Sequence, residues 1–264
     1  MTSLPGVYET KKKNGSIYYR SSITYKNKHI SLGSFNTEKE AHKAYLEAKE
    51  LTQSCLYSIN DYSTSMSISF EKYVILLNFR DNNMYCKTPI YLSKAFFTYY
   101  LSEDIQLIFD VQDYFYYSYH KIMKRGNHLF ISDHDMQINI LSRFGIHNYA
   151  VVNRDYEFVN GNPYDFRYSN IKVINPYYGV TKISKNNKNR YLTKIHVNGD
   201  LIVGIYSSEI EAAIAYNKAS DYLRKNGITK NFPQNYIADL SGAEYLQIYK
   251  KINVRYNVIH YTIS

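Results

Sequence analysis

Hydrophobic and polar positions alternate with a period of two over Tyr19 to Thr24, with Tyr19, Ser21 and Ile23 on one side and Arg20, Ser22 and Thr24 on the other. Successive strand side chains point to opposite faces, so this run predicts a half-buried strand. A turn signal follows at Lys26-Asn27-Lys28, and strand character resumes from His29 to Phe35. Tyr8 lies in a short run after Gly6-Val7 that supplies a third strand. The period then changes. Thr37 and Glu40 have the spacing of a capping box, and Ala41, Ala44, Tyr45 and Ala48 recur at helical intervals. Small alanines let that helix lie close on a sheet. Residues 1–55 therefore predict three antiparallel strands backed by one helix.

The same pattern returns near the other end of the chain. Gly179-Val180, Tyr191-x-Thr193-x-Ile195, Gly204-Ile205-Tyr206, Ser208 and Glu211-Ala212-x-x-Ala215-Tyr216 repeat Gly6-Val7, Tyr19-x-Ser21-x-Ile23, Gly33-Ser34-Phe35, Thr37 and Glu40-Ala41-x-x-Ala44-Tyr45. Here the turn is Asn198-Gly199, a two-residue hairpin signal in which both central positions take positive φ. An internal repeat decides architecture before anything else does. Residues 177–264 thus predict a second module of the same kind with a helical tail. Thr181 opens the strand matching that of Tyr8.

Residues 56–176 lack the repeat and are rich in aromatics, as in Phe96-Phe97-Thr98-Tyr99-Tyr100 and Tyr114-Phe115-Tyr116-Tyr117. Most of these rings read as core. Met136 to Phe144 has apolar residues at helical spacing, at Ile138, Leu141 and Phe144. Lys121, Lys124 and Arg125 form a small basic cluster suited to phosphate. The fold class expected is α+β: two small sheet-plus-helix modules flanking a mixed α/β middle domain.

Charge sharpens the picture. In residues 6–35, Lys11, Lys12, Lys13, Arg20, Lys26 and Lys28 face only Glu9; in 179–206, Lys182, Lys185, Lys188, Arg190 and Lys194 face only Asp200. The helix that follows each set is neutral or slightly acidic. A one-sided basic surface is the footprint of a polyanion ligand. The whole chain of 264 residues carries a formal charge of +9. Two cysteines, Cys55 and Cys86, exclude a disulfide framework or a cysteine zinc site. No apolar run reaches the length of a membrane span, and Met1–Gly6 does not open a signal peptide. These features fit a reducing, DNA-containing compartment, the bacterial cytoplasm and its nucleoid ahead of a nucleus.

The order of these motifs resembles the APETALA2/ethylene-response-factor DNA-binding domain, over residues 6–51 and 179–223. In that family the three-stranded sheet enters the major groove of double-stranded DNA. By position, the resemblance implies that Tyr8, Thr10, Arg20, Ser22, Thr24, His29 and Ser31 face the groove in the first copy. In the second it implies Thr181, Ile183, Leu192, Lys194, His196 and Ile202. Lys12, Lys182 and Arg190 join these as DNA contacts. This chain has no tryptophan and lacks the arginines that plant members place on that face.

The stretch Glu157-Phe158-x-Asn160-Gly161-Asn162, Asp165-Phe166-Arg167, Ser169-Asn170-Ile171 is similar to the HNH motif of homing endonucleases, here at about 150–176 and directly ahead of the second module. That family's fold is a ββα unit. Its chemistry needs a histidine general base and a polar set that holds one divalent metal. The base position is Phe158 and the middle Asn is Phe166, so no catalytic or metal-ligating residues and no cofactor are expected. Glu157, Asn160, Asn162, Asp165, Arg167 and Asn170 remain as the motif's survivors. The expected function is a non-catalytic, sequence-specific DNA-binding regulator reading a bipartite site, with a homodimer through the aromatic middle as a possible assembly. The alternative is a metal-dependent HNH homing or nicking endonuclease.

Overall fold

The computed structural model describes residues 4–185 and 188–262, and the chain divides into two compact units. The first comprises residues 1–139 and 162–168; the second comprises 140–161 and 169–264. The fold is α+β, with several small antiparallel sheets and, among the described residues, six α-helices.

In the first unit, β1 (Val7–Lys11), β2 (Ile17–Tyr25) and β3 (Lys28–Phe35) form a sheet in that order. Helix α1 (Glu38–Gln53) follows, its Thr37–Glu40 capping box closed in both directions. Ala41, Ala44 and Ala48 are fully buried, as the close approach of helix to sheet requires. Ile23, Ile30 and Leu32 from the sheet and Leu51 from α1 share a core with Ile68, Tyr73, Leu76 and Leu77. The last three belong to α2 (Phe70–Asn82), so the first module and the chain beyond residue 55 are built on common packing. Then come β4 (Ile90–Leu92), β5 (Phe96–Tyr100), β6 (Gln106–Asp110) and α3 (Tyr114–Tyr119). Phe97, Tyr99, Phe109, Tyr114 and Tyr117 are buried, and Phe97 stacks on Phe109 at 5.3 Å between ring centroids. The aromatic runs are core here, although Phe115 and Tyr119 are exposed.

A third sheet holds β7 (Ile122–Arg125), β8 (His128–Asp133) and β9 (Met136–Asn139). The helical spacing over Met136 to Phe144 is misleading: Met136–Asn139 is a strand and Ile140–Phe144 a 3-10 turn. Pairing with β8 outweighs that weak local periodicity. Lys121 of the basic cluster is engaged with Glu71 at 2.7 Å.

The second unit opens with a hairpin of β10 (Tyr156–Phe158) and β11 (Ile171–Val173). Its three-stranded sheet is β12 (Val180–Lys185), β13 (Lys188–His196) and β14 (Asp200–Tyr206), backed by α4 (Glu209–Lys225), whose Ser208–Glu211 capping box is likewise closed. Helices α5 (Gly242–Lys251) and α6 (Tyr256–Ile259) complete the core through Ile248 and Val258, with Ile252 just after α5. No α-helix stands between β11 and β12, so the expected ββα unit is a two-stranded hairpin with a 3-10 turn at Tyr168–Asn170. The chain after β11 instead turns at residues 177–179 into the next sheet.

The hairpin turns are the reverse of expectation. Lys26 and Asn27 both take positive φ, at 45° and 61°, and form the tight two-residue turn. Asn198 and Gly199 do not; Val197 to Gly199 is a three-residue loop closed by Val197 N–H donating to Gly199 O at 3.0 Å.

Candidate nucleic-acid interface

Each module has one face on its helix and one face turned away. In the first, cross-strand register places Tyr8, Arg20 and Ser34 side by side, then Thr10 with Tyr18, Ser22 with Ser31, and Thr24 with His29. Partners across a ladder share a face, so the outer face carries all seven residues expected there, plus Tyr18 and Ser34. Tyr8 is 57 % exposed, and Arg20, Thr24, His29 and Ser31 are exposed too, whereas Thr10 is half-buried. Ser22 corrects the expectation: it lies on this face by register, beside the bulge at Ser21/Ser22, but is only 8 % exposed.

The electrostatics of this face are simple. Arg20 makes no ion pair or hydrogen bond among the described residues. Lys12 follows β1 in the turn, exposed, with its ammonium 5.9 Å from the Tyr18 ring centroid. Lys26 is withdrawn from the interface. Its ammonium donates to the Phe79 and Arg80 carbonyls at 3.4 and 3.1 Å and to Asn83 Oδ1, pinning the β2–β3 turn to the end of α2.

The second module repeats the frame but not the surface. Register groups Thr181 with Leu192 and Ile205, Ile183 with Arg190, Lys194 with Ile202, and His196 with Asp200. Lys182 is a correction: it pairs with Tyr191, which pairs with Tyr206, so it points to the helix side. Consecutive residues cannot share a strand face. The outer face carries more aliphatic side chains than that of the first module, and Ile205, missed in the sequence, is 46 % exposed. Two of its cationic groups are compensated: Asp200 accepts from His196 Nδ1 at 3.0 Å and lies 3.6 Å from Lys194 Nζ. The His196 hydrogen bond, with Lys194 beside it, holds the Asp200 carboxyl below its usual range.

This face is also occupied in part by the unit's own chain. His147, Asn148, Tyr149 and Arg154 stand opposite Thr181, Leu192, Lys194 and His196, and together they line a recess of about 430 Å³. The wall is fixed by Asp155, whose side chain is 3 % exposed and accepts from Val151 N–H at 2.8 Å and Arg154 Nη2 at 2.6 Å. Burial pushes the Asp155 carboxyl up, but Arg154, Val151 and Asn175 together bring it below the ordinary value. Asn175 closes the link, since its Oδ1 accepts from Lys182 N–H at 2.9 Å. The sequence signal for this wall is faint, because segment 147–155 has no periodicity of its own.

The surviving HNH-like positions fall in both units. Glu157 pairs with Lys172 across the β10–β11 ladder at 2.8 Å, and Asn170 Oδ1 accepts from Asn160 N–H at 2.7 Å, both in the second unit. Asn162, Asp165 and Arg167 belong to the first unit. There Arg167 Nε and Nη2 donate to the buried Asp165 carboxylate at 2.9 and 2.6 Å, and Phe166 stacks on Phe109 at 5.4 Å. These residues bond to one another and to the core, which is a structural use of the positions. Among the described residues, no three His, Cys, Asp or Glu side chains gather as metal ligands, and no helix is long and apolar enough to cross a membrane.

Comparison with protein-family models, with curated proteins and with solved structures gives no match.

Proposed function

We propose that the protein is a non-catalytic, sequence-specific binder of double-stranded DNA, and that the outer face of β1–β3 does the reading. The observation that carries this is the open face holding Tyr8, Arg20, Thr24, His29 and Ser31, with an uncompensated guanidinium at its centre. The major groove admits a β-ribbon, and an arginine there can donate two hydrogen bonds to one guanine. Lys11, Lys12 and Lys13 at the end of β1 supply phosphate contacts. The second module adds Arg190 and Lys194 at a partly filled face, which suits anchoring better than base reading. A bipartite interaction then gains from effective concentration more than from two equal readers.

The deciding experiment selects from a random duplex pool at moderate salt, with magnesium present. A recovered motif with uncut ends supports the reading, and its affinity should fall steeply with salt as counterions are released. Binding no tighter than to random duplex sinks it. Cut ends would instead favour the endonuclease alternative.

A further inference from the structure

The recess beside the second module has the size and chemistry of a small-ligand site. Its volume of about 430 Å³ lies within the range common for such pockets. Both of its carboxylates already have partners: Asp155 has Arg154, Val151 N–H and Asn175, and Asp200 has His196 and Lys194. Spare donors remain on the cations that face these carboxylates. Arg154 uses Nε and Nη2 for Asp155, leaving Nη1 with two N–H groups. Lys194 has at least two further donors, and the two side chains are 51 % and 43 % exposed. Two cations with spare donors on facing walls suit a phosphate, which accepts from several donors at once.

Part of the remaining lining is aromatic or aliphatic. Tyr178 packs its ring against His147 at 4.8 Å, Leu192 comes from β13, and Tyr149 is almost fully exposed at the rim. Such surfaces suit a planar aromatic ring. We infer that this recess binds a nucleoside phosphate, with the phosphate on Arg154 and Lys194 and the base against the Tyr178–Leu192 side. The inference does not rest on base reading by β1–β3, since the recess lies on the second module's outer face and is tested without duplex.

Titration of the full chain with the four nucleoside 5′-monophosphates, the matching nucleosides and inorganic phosphate tests it. A monophosphate should bind at least tenfold more tightly than its nucleoside or phosphate alone. Lys194→Gln should weaken it at least tenfold. Lys182→Gln, an equal charge change one strand face away, should leave it unchanged. Both substitutions are of partly exposed side chains, and thermal melts confirm that they fold. A 5′-phosphorylated tetranucleotide binding as tightly as the monophosphate would identify a strand end as the source; its exclusion would identify the free nucleotide. Equal affinity for nucleoside and monophosphate, equal damage from Lys182→Gln and Lys194→Gln, or no binding by the folded wild type would each overturn the assignment.

Discussion

The two modules agree down to single hydrogen bonds and differ in what that shared frame displays. Ser22 N–H donates to Gly6 O at 3.0 Å, and Lys194 N–H donates to Gly179 O at 2.8 Å. A bulge follows at the same place in both, between Ser21 and Ser22 and between Thr193 and Lys194. Yet the outer face is polar and open around Arg20 in one, and more apolar, partly charge-compensated and partly walled in the other. A frame is maintained by a few contacts between backbone, glycine and helix. A face is free to change because nothing in the frame depends on it.

The largest expected effect tests the frame. Gly6 and Gly179 have φ of 75° and 69°, and an added Cβ would lie 2.2 Å from the Tyr45 ring or 2.2 Å from the Lys194 carbonyl oxygen. An aromatic ring can turn aside, but the carbonyl belongs to the sheet. Gly179→Ala should cost about 4 kcal/mol and Gly6→Ala about 2 kcal/mol, combining positive-φ strain with overpacking. Hydrogen exchange read separately at α4 and α1 measures each. Equal losses would mean the two glycines do not differ in what they pack against.

Next comes the wall beside the second module. Asp155→Asn should destabilise the second unit by about 2–3 kcal/mol, since hydrogen bonds to a buried charged group are lost. The Asp155 carboxyl is held below its unfolded value. Its stabilisation is therefore complete above the unfolded pKa, near 4, and is lost as pH falls through the folded one. Unfolding free energy of the second unit should drop less steeply with acid below about pH 4 in Asp155→Asn than in wild type. Parallel acid profiles would remove Asp155 from its role.

On the faces themselves, Arg20→Ala should weaken binding to a selected duplex by about 10- to 100-fold, the cost of one base-contacting arginine. Lys194→Ala should change it less than about threefold, the loss of one phosphate contact among many rather than of a base contact. The opposite ranking in a binding titration would reverse the division of labour between the modules.

Much of the frame was readable in the chain because its determinants are local. Capping boxes, alanine spacing and strand alternation each sit within a few residues, and each module formed where they occur. The turns were not readable in the same way. Asn198-Gly199 carries the stronger propensity, but the positive-φ turn is Lys26-Asn27, which Lys26 ties to α2. Lys182 was misplaced through charge counting, which ignores strand parity. The wall at 147–155 was invisible because it depends on the Asp155–Asn175–Lys182 chain of hydrogen bonds between segments far apart in sequence.

The smallest effect lies inside the cores, at two positions that match in the repeat. Thr193 Oγ1 donates to the Ala212 carbonyl at 3.0 Å, joining β13 to the first turn of α4. Ser21 holds the same place against α1, yet its hydroxyl is buried with no partner. A buried hydroxyl that makes a bond stabilises, and one that makes none costs its desolvation. Thr193→Val, nearly the same in volume, should therefore lose about 1 kcal/mol, whereas Ser21→Ala should be neutral or gain up to about 1 kcal/mol. Urea unfolding of the full chain, with α1 and α4 followed separately by exchange, distinguishes the two. A loss at Ser21→Ala as large as at Thr193→Val would show that the first module satisfies this hydroxyl after all, and that the cores are as alike as the frames.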